Sequence, residues 1–466
     1  SPGYERPAVD LPAAWRDVAA QGKAAPAERW WTFYADATLD RLVEEALAHN
    51  QDLALAAARV EEARALLRIT DAERMPAVDA EFQRDRSRSS ERSSIPLPPG
   101  VPLERNSYRA ALNVAYEADL WGRLRSASDA ARAELLASHA VQETVRVTLT
   151  AQVAQSYFAL MALDGQIDTT RRTLALRERT LELQKVRSTA GLIGDLDLRQ
   201  IEAEVAAARA QLPALERSRS AEELALAVLL GRGPRAIIEE SIKRSADRGE
   251  PPAPVVPEGL PSDLLLRRPD VVQAEQRLIA ANARIASARA ALFPRISLTG
   301  YLGSESASLG DLFSGPARIW QFAFALAQPI FQGGRLTGEV EAVSARERQA
   351  LAQYQKTLQE AFREVREALV RQDRSREIFE AEGARVNALG EAVKLARIRY
   401  DNGRSSQLEV IDAERNLLQA ELNRIDALRA QRAAAADLVK ALGGGWAGFE
   451  RTAAASSTSL IKSERQ

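Results

Sequence analysis

The chain has no cysteine and only two histidines among its 466 residues. Without cysteine it has no disulfides, thiolate metal sites or cysteine nucleophile. His49 and His139 each stand alone in a helical pattern, which favours surface or packing roles over metal binding. No glycine-rich phosphate loop follows a strand, and no nucleophile, base and orienting residue are grouped together. The sequence therefore predicts no enzyme and no cofactor.

The sequence also lacks an excess of either charge and any long apolar run. Its 63 Lys and Arg residues balance 64 Asp and Glu residues, so we expect no nucleic-acid partner. No run of 18 apolar residues occurs, and the longest, at 224–230, is far too short to cross a bilayer as a helix. Any part that spans a membrane must therefore be built of β-strands.

A long internal repeat dominates what is present. The segment Gly-Leu-Ile-Gly-Asp-Leu that begins at Gly191 is paralleled, 212 residues later, by Gly-Arg-Ser-Ser-Gln-Leu at Gly403. Each segment runs into a long stretch rich in Ala, Leu, Glu and Arg. Upstream, Gly122-Arg-Leu parallels Gly334-Arg-Leu. Each half therefore reads as a helix, two strands, a very long helix, a tight turn and a returning helix.

This repeat divides the chain into five parts. We predict an extended N-terminal segment at 1–35 that wraps the equator of the helices, a first repeat at 36–231, a linker at 232–262, a second repeat at 263–443 and a C-terminal tail at 444–466. The predicted strands lie at about 77–88, 106–118, 295–304 and 318–331. The predicted long helices lie at about 120–188 and 335–400, and the returning helices at about 196–230 and 406–442.

The two long helices are unusual in their length. No proline interrupts either one, and strong helix formers dominate their composition. At 1.5 Å per residue each spans about 100 Å, so each must pack lengthwise against other helices. The returning helices supply part of that surface. Periodicity alone favours a soluble structural coiled coil, and this alternative stays open here.

The predicted strands alternate apolar and polar residues. Between Tyr108 and Tyr116 one face is apolar, while Arg109, Asn113 and Glu117 lie on the other. The two tyrosines are about 26 Å apart, close to the height of an outer-membrane apolar band with aromatic girdles. A soluble sheet half-covered by helices is the alternative. Four strands cannot close a barrel in lipid, whereas three copies supply twelve strands and a lumen, which favours a homotrimer.

Seven further segments, spread over nearly the whole chain, have a distinctive sequence. They are Tyr4-Glu-Arg-Pro7, Tyr116-Glu-Ala-Asp-Leu-Trp-Gly-Arg-Leu124, Gly259-Leu-Pro-Ser-Asp-Leu-Leu265, Arg267-Arg-Pro-Asp270, Ala288-Arg-Ala-Ala-Leu-Phe-Pro294, Gln328-Pro-Ile-Phe331 and Arg399-Tyr-Asp-Asn-Gly403. In content and order they resemble signatures of the outer-membrane factor family, the TolC- and OprM-type ducts of tripartite efflux pumps and secretion systems. The resemblance is stronger to the OprM-like branch associated with RND-type pumps.

The resemblance implies a mainly α protein with membrane β-structure. It implies a trimeric twelve-stranded outer-membrane β-barrel, continued by a twelve-helix periplasmic α-barrel. The implied function is passive export of drugs or other small solutes, after docking of a periplasmic adaptor protein and an inner-membrane RND-type transporter. A duct for type I protein secretion is the alternative. Members of this branch usually begin with a lipidated cysteine, which this sequence lacks, so an N-terminal lipid stays an open expectation.

The resemblance also places a gate at the periplasmic tip. By similarity Leu408, Glu409 and Asp412 lie on the inner face of the second tip helix, with Arg415 able to pair with Asp412. Glu409 and Asp412 are three residues apart and hence share one side of the helix. In a trimer these residues form rings. Acidic rings attract cations and a leucine ring excludes water.

Two further groups of tip residues complete the expected site. Asp197, Tyr400 and Arg404 are candidates for a lock that ties neighbouring helix pairs shut, although Ser405 occupies the position of a lock arginine in TolC-type relatives. The turns at Gly191 and Gly403 are the expected docking points for the adaptor. Glycine favours a helix stop there, and Ser405 and Ser406 are candidate N-caps for the helix that follows.

Overall fold

The computed structural model describes residues 4–8, 29–92, 98, 100–239, 241–244 and 267–444. The helices are α1 (Ala37–His49), α2 (Gln51–Ala72), α3 (Arg123–Thr189), α4 (Asp195–Leu229), α5 (Pro234–Glu239), α6 (Pro269–Ala290), α7 (Arg335–Asp401) and α8 (Gln407–Ala441). The strands are β1 (Ala77–Arg88), β2 (Glu104–Ala118), β3 (Arg295–Ser306) and β4 (Arg318–Ala327). Among the described helices, none is both long and apolar enough to cross a bilayer.

Some elements differ from their predicted bounds for local reasons. The strand predicted at 318–331 ends at Ala327, because Pro329 has no amide hydrogen for a sheet. The first long helix begins at Arg123 rather than 120, because Gly122 adopts a positive φ of 75° and the side chain of Asp119 accepts a hydrogen bond from the amide of Arg125 at 2.7 Å.

The other differences lie between and before the repeats. The predicted linker contains the short helix α5. Residues 30–34 form a 3₁₀ turn rather than an extended segment. The rest of the predicted N-terminal segment, apart from residues 4–8, Arg29 and Ala35, lies outside the described residues, as do the linker residues 245–262 and the tail beyond Gly444.

The four strands form one antiparallel sheet in the order β1-β2-β3-β4. Strands β2 and β3 are far apart in sequence, yet Leu112 lies opposite Leu302. Within the described part of the chain, β1 and β4 each pair on one side only. One sheet face, here called the apolar face, carries large exposed side chains: Val78, Phe82, Leu112, Val114, Leu302, Trp320, Phe322, Phe324 and Leu326. The opposite face is polar, and Asn113 donates a hydrogen bond to Glu81 there at 2.9 Å.

The chain divides into two compact units, and the sheet belongs to the first, which comprises residues 1–7, 59–139 and 273–355. At the foot of the sheet Trp121 stacks on Phe293 at 5.0 Å, and its indole nitrogen donates to the carbonyl of Pro294 at 2.8 Å. The N-terminal residue Arg6 binds Glu275 of α6 through two hydrogen bonds of 2.6 and 2.9 Å. Trp121, Phe293 and Pro294, which belong to segments of the resemblance, therefore stabilise the base of the sheet.

The second unit, residues 8–58, 140–272 and 356–466, has a core around the 3₁₀ turn. Trp30 and Trp31 are buried there, and the indole of Trp30 donates to Thr150 of α3 at 3.1 Å. Asp36 caps α1 by accepting from two backbone amides and also accepts the hydroxyl hydrogen of Tyr157 at 2.9 Å. These contacts fasten the start of the first repeat to the long helix α3.

Both returning helices end in the same way. Asn50 donates a side-chain hydrogen bond to the carbonyl of Leu229 at 2.9 Å, and Arg268 donates to the carbonyl of Ala441 at 2.8 Å. Those two carbonyls are 212 residues apart and thus occupy equivalent positions in the repeats. A side chain that precedes α2 or α6 therefore satisfies a helix-end carbonyl that has no partner within its own helix.

Glycines at these two ends provide a matched test. Gly231 and Gly443 have φ values of 73° and 96°, so alanine at either position is strained by about 1–2 kcal/mol. A Cβ at Gly231 would also lie 2.1 Å from the carbonyl oxygen of His49, whereas one at Gly443 would meet only ordinary contacts of 3.6 Å or more. We expect Gly231→Ala to lower the thermal unfolding midpoint much further than Gly443→Ala. Equal shifts would contradict the close approach at His49.

Candidate functional site

The turns at the two predicted tips have the same hydrogen bonds. In the first, the amides of Gly191 and Leu192 donate to the carbonyls of Ser188 and Arg187, both at 2.9 Å. In the second, the amides of Gly403 and Arg404 donate to Tyr400 and Arg399 at 2.9 and 2.8 Å. Each turn is a Schellman motif with glycine in the left-handed region, at φ 70° and 65°. The duplication therefore includes the hydrogen bonds and the glycine conformation of the tip turns.

The helix starts after these turns depart from the prediction. Ser406 occupies the N-cap position of α8, but its side chain makes no capping hydrogen bond. The hydroxyl of Ser405 is buried without a hydrogen-bond partner among the described residues. Gly194 takes the equivalent position before α4 and has no side chain to cap with. Acidic residues in the first turn, Asp195 and Glu409 among them, offset the positive helix end instead.

The four residues predicted for the gate lie on the first turns of α8. Leu408 is 45% exposed. Glu409 contacts Arg399 of α7 at 3.4 Å, so its charge is shared within its own hairpin. Asp412 contacts Arg415 at 3.5 Å, and the carboxylate of Asp412 is about half exposed. The structure thus brings Asp412 and Arg415 together, as the spacing predicts, but through a long and solvated contact.

Arg415 has a closer partner that the sequence reading missed. It lies 2.5 Å from Glu204 of α4, which also pairs with Arg177 of α3 at 3.1 Å. Arg177 and Glu204 are nearly buried, at 7% and 13% side-chain exposure, whereas Arg415 is 57% exposed. These three residues form a charge network across α3, α4 and α8. No spacing rule connects positions so far apart in sequence. A weak signal is that the charged Glu204 lies on an otherwise apolar stripe of its helix, which indicates that it has a buried partner.

Apolar side chains pack beside this network. Leu181 of α3, Ile201 and Val205 of α4 and Ile411 of α8 form a small buried cluster. At 100° per residue, Ile411 points away from the side of α8 that carries Glu409 and Asp412. Its packing in this cluster fixes that other side of α8 against the first hairpin. The position of the acidic residues is therefore determined by packing on their far side.

The three predicted lock residues are not joined within one chain. The hydroxyl of Tyr400 accepts a hydrogen bond from the buried side chain of Gln184 at 3.3 Å, which links α7 to α3. Neither Asp197 nor Arg404 forms a side-chain hydrogen bond or ion pair with another described residue of the chain. Gln184 was not singled out from the sequence, because a glutamine in a long charged helix carries no distinctive pattern.

Farther along the same helices lies a cavity of about 270 Å³ between α3, α7 and α8. Phe158, Met161 and Ile425 provide apolar lining, and Glu421 and Arg172 also line the cavity. Burial raises the pKa of Glu421 above its ordinary value, and the charge of Arg172 only partly opposes this effect. The carboxylate is therefore poorly stabilised when it is ionised.

An apolar sheet face, a polar opposite face and long helix hairpins with glycine tips define the class of outer-membrane channels. The family model described as "Outer membrane efflux protein" matches residues 42–232 and 260–444. The chain belongs to this outer membrane efflux protein family. The resemblance deduced from the sequence and the mainly α fold class with membrane β-structure are confirmed, as is the outer-membrane localisation.

Individual relatives agree over nearly the full length. The outer membrane protein OprJ of Pseudomonas aeruginosa is 38% identical over 96% of this chain and 92% of its own. The solvent efflux pump outer membrane protein SrpC of Pseudomonas putida is 35% identical over 96% and 95%. The crystal structure of the Campylobacter jejuni CmeC outer membrane channel gives a TM-score of 0.90 at 26% identity, over 96% and 94%. The alternative of a soluble structural coiled coil is therefore wrong, and of these relatives SrpC is named as part of an efflux pump and CmeC as a channel.

The charge network supports a test of which contact stabilises the tip. Glu204→Gln removes the carboxylate that pairs with the nearly buried Arg177, so we expect a loss of about 3 kcal/mol in the free energy of unfolding. Arg415→Ala removes an exposed contact and should cost less than about 1 kcal/mol. Thermal unfolding followed by circular dichroism measures both variants. Equal losses in the two variants would show that the pair of Arg177 with Glu204 stabilises the fold no more than the exposed contact of Arg415 does.

The raised pKa of Glu421 predicts a pH-dependent stability. A carboxyl with a raised folded-state pKa contributes stability that is complete below its ordinary pKa and is lost as the pH rises through the raised value. Glu421→Gln mimics the protonated form, so we expect a higher unfolding midpoint than the wild type at pH 7.5. The difference should vanish below about pH 4. A variant that is less stable than the wild type at pH 7.5 would contradict this assignment.

Proposed function

We propose that three copies of this chain form one export channel through the outer membrane. The exposed apolar face, together with the unpaired edges of β1 and β4, carries this proposal. In lipid an open edge leaves amides and carbonyls without partners, so strands of neighbouring copies must pair at those edges. Three copies supply twelve strands, enough for a lumen, and the polar face then lines that lumen.

The second tip is the proposed gate. In a threefold assembly Leu408, Glu409 and Asp412 form rings around the axis. The charge of Asp412 is only weakly compensated, because Arg415 lies 2.5 Å from Glu204 but 3.5 Å from Asp412. Three such carboxylates attract cations, while the leucine ring opposes wetting.

Contacts between subunits hold this gate closed in our proposal. Asp197 and Arg404 have no partner among the described residues of their own chain, and both lie beside the tip turns. Opposite charges at the ends of neighbouring hairpins can pair across a subunit boundary. Each exposed pair contributes only about 0.5–1 kcal/mol, so three pairs hold a closed state that a partner can open.

The opening partner is a periplasmic adaptor protein that docks on the turns at Gly191 and Gly403. Leu192 and Leu196 beside the first turn are 72% and 71% exposed, which provides an apolar contact for such a partner. An inner-membrane RND-type transporter then supplies the solute and the energy. SrpC is named as part of a solvent efflux pump, which favours small apolar solutes such as solvents and drugs over secreted proteins.

The gate is tested by single-channel conductance in a planar bilayer. Glu409→Ala/Asp412→Ala removes both acidic rings, so repulsion and cation binding at the constriction are lost and we expect a clear rise in conductance with weaker cation selectivity. Arg399 loses its partner Glu409 in this variant, so Arg399→Ala is the matched control and should leave the conductance small.

The outcomes separate the channel from its gate. A wild-type conductance equal to that of the double variant would place the constriction elsewhere. Absence of any conductance from folded, membrane-inserted protein would contradict the channel itself.

A further inference from the structure

The cavity of about 270 Å³ between α3, α7 and α8 lies away from the tip turns, where two helices meet through a glycine. Gly165 of α3 faces Ile425 of α8, and a Cβ at Gly165 would lie 3.6 Å from that side chain. Seven residues away on each helix, the guanidinium carbon of Arg432 lies 5.3 Å from the centre of the Phe158 ring. The two helices therefore run antiparallel, and the cavity follows their line of contact.

The lining contains apolar side chains from all three helices. Met161 of α3, Val386 of α7 and Ile425 and Leu428 of α8 line the cavity, and all four are half-buried. Gly165 contributes no side chain, which leaves space between α3 and α8. The volume is close to the lower end of the range of about 300–1,000 Å³ that is typical of ligand pockets. The cavity therefore has room for a small apolar group.

The charged part of the lining is mostly cationic. Among the described residues that line the cavity, one is an acid, Glu421, and four are arginines: Arg172, Arg424, Arg429 and Arg432. Arg429 donates a hydrogen bond to Asp426 at 2.8 Å, so its charge is compensated. Arg172 is close enough to Glu421 to lower the pKa of that carboxyl, which burial raises. The charges at the cavity thus sum to a positive value.

Arg424 differs from the other cationic residues in its surroundings. Its guanidinium carbon lies 5.6 Å from the centre of the Phe379 ring on α7, and a Cβ at Gly383 would lie 3.7 Å from its Nε. Phe379 and Gly383 are four residues apart and so share one face of α7. Among the described residues, no carboxylate lies within ion-pair distance of Arg424. A guanidinium that packs against α7 is therefore left without a counter-charge at the cavity.

We propose that this cavity binds a small amphipathic organic anion. The apolar part of the ligand lies on Met161, Ile425 and Leu428, and its carboxylate, sulfonate or phosphate group is bound by Arg424. A guanidinium binds such groups through paired charge-assisted hydrogen bonds. Because Arg424 already packs against α7, it loses little side-chain freedom when the ligand binds. Glu421, three residues earlier on α8, opposes a second negative charge on the ligand.

This site is separate from the proposed gate, and its chemistry does not depend on the number of chains in the channel. A ligand in the cavity contacts α3, α7 and α8 at once, because all three helices contribute to the lining. A molecule that binds the folded chain and not the unfolded chain stabilises the fold. Binding of the anion should therefore raise the thermal unfolding midpoint of the protein.

The test is isothermal titration calorimetry on the full chain in lipid nanodiscs, with empty nanodiscs as the blank. The two probes are naphthalene-2-sulfonate and 2-naphthylmethylammonium, which share a ring system and carry opposite charges. A hydrogen bond to a charged group contributes about tenfold or more in affinity, so the wild type should prefer the sulfonate by at least about tenfold. Arg424→Ala should remove this preference. Glu421→Gln removes a like charge and should strengthen sulfonate binding by about fivefold.

Two further variants make the result specific. Arg429→Ala is the matched control, because Arg429 lines the same cavity but is compensated by Asp426, and this variant should keep the preference. Val386→Phe fills the cavity from α7 and should weaken binding of both probes, while its unfolding midpoint shows whether it is folded. No saturable binding of the sulfonate by the wild type, or tighter binding of the cation, would overturn the site. Equal losses in Arg424→Ala and Arg429→Ala would indicate a diffuse charge effect, which also overturns it. A protein that conducts but does not bind the sulfonate contradicts this inference alone and leaves the export proposal intact.

Discussion

The hydrogen-bonding requirement of strand edges controls everything else in this molecule. The described sheet has four strands, and β1 and β4 each have one side without a partner strand among the residues that the structure describes. Water can satisfy such an edge, but the hydrocarbon interior of a membrane cannot. The apolar face of this sheet exposes Leu112 and eight further large apolar side chains. Such a surface is unfavourable in water and favours contact with lipid. A chain with this sheet is therefore incomplete alone, and its long helices must associate wherever its strands do.

The duplication solves a related problem at the helix ends. Each repeat has a helix of 67 residues that is followed by a turn and a returning helix. The last carbonyls of the first helix and the first amides of the second have no partner within their own helices. Both repeats use a glycine with positive φ in a Schellman motif at one end of the hairpin and a donor side chain, Asn50 or Arg268, at the other. The two donors differ in type, yet they reach equivalent carbonyls. Both repeats thus provide a side-chain donor for the same helix-end carbonyl, but the donor is asparagine in one repeat and arginine in the other.

Local patterns predicted most of the fold. Alternation fixed which strand residues share a face, and the glycines at 191 and 403 identified the tip turns. Interactions between distant segments were not predictable. The pairing of Glu204 with Arg177 and Arg415 depends on how three helices rotate against one another, and no local spacing encodes that rotation. The cap expected from Ser406 is absent for a related reason: its position was read correctly from sequence, but the orientation of its hydroxyl depends on the surrounding packing.

The two tips, although built alike, have diverged in charge, and this bears on where a gate can lie. Leu196 and Asp197 of the first repeat correspond to Leu408 and Glu409 of the second, so both tips keep a leucine followed by an acid. The next helical turn differs, because Gln200 corresponds to Asp412. In the proposed trimer, the acid at this position therefore comes from the second hairpin. That hairpin is also the one whose far side is fixed to the first by Ile411 and by Arg415 through Glu204. Rings of like charge repel one another, so they remain close only when packing behind them opposes the repulsion. The second tip has both the charge and the support, which makes it the physically stronger site for a gate.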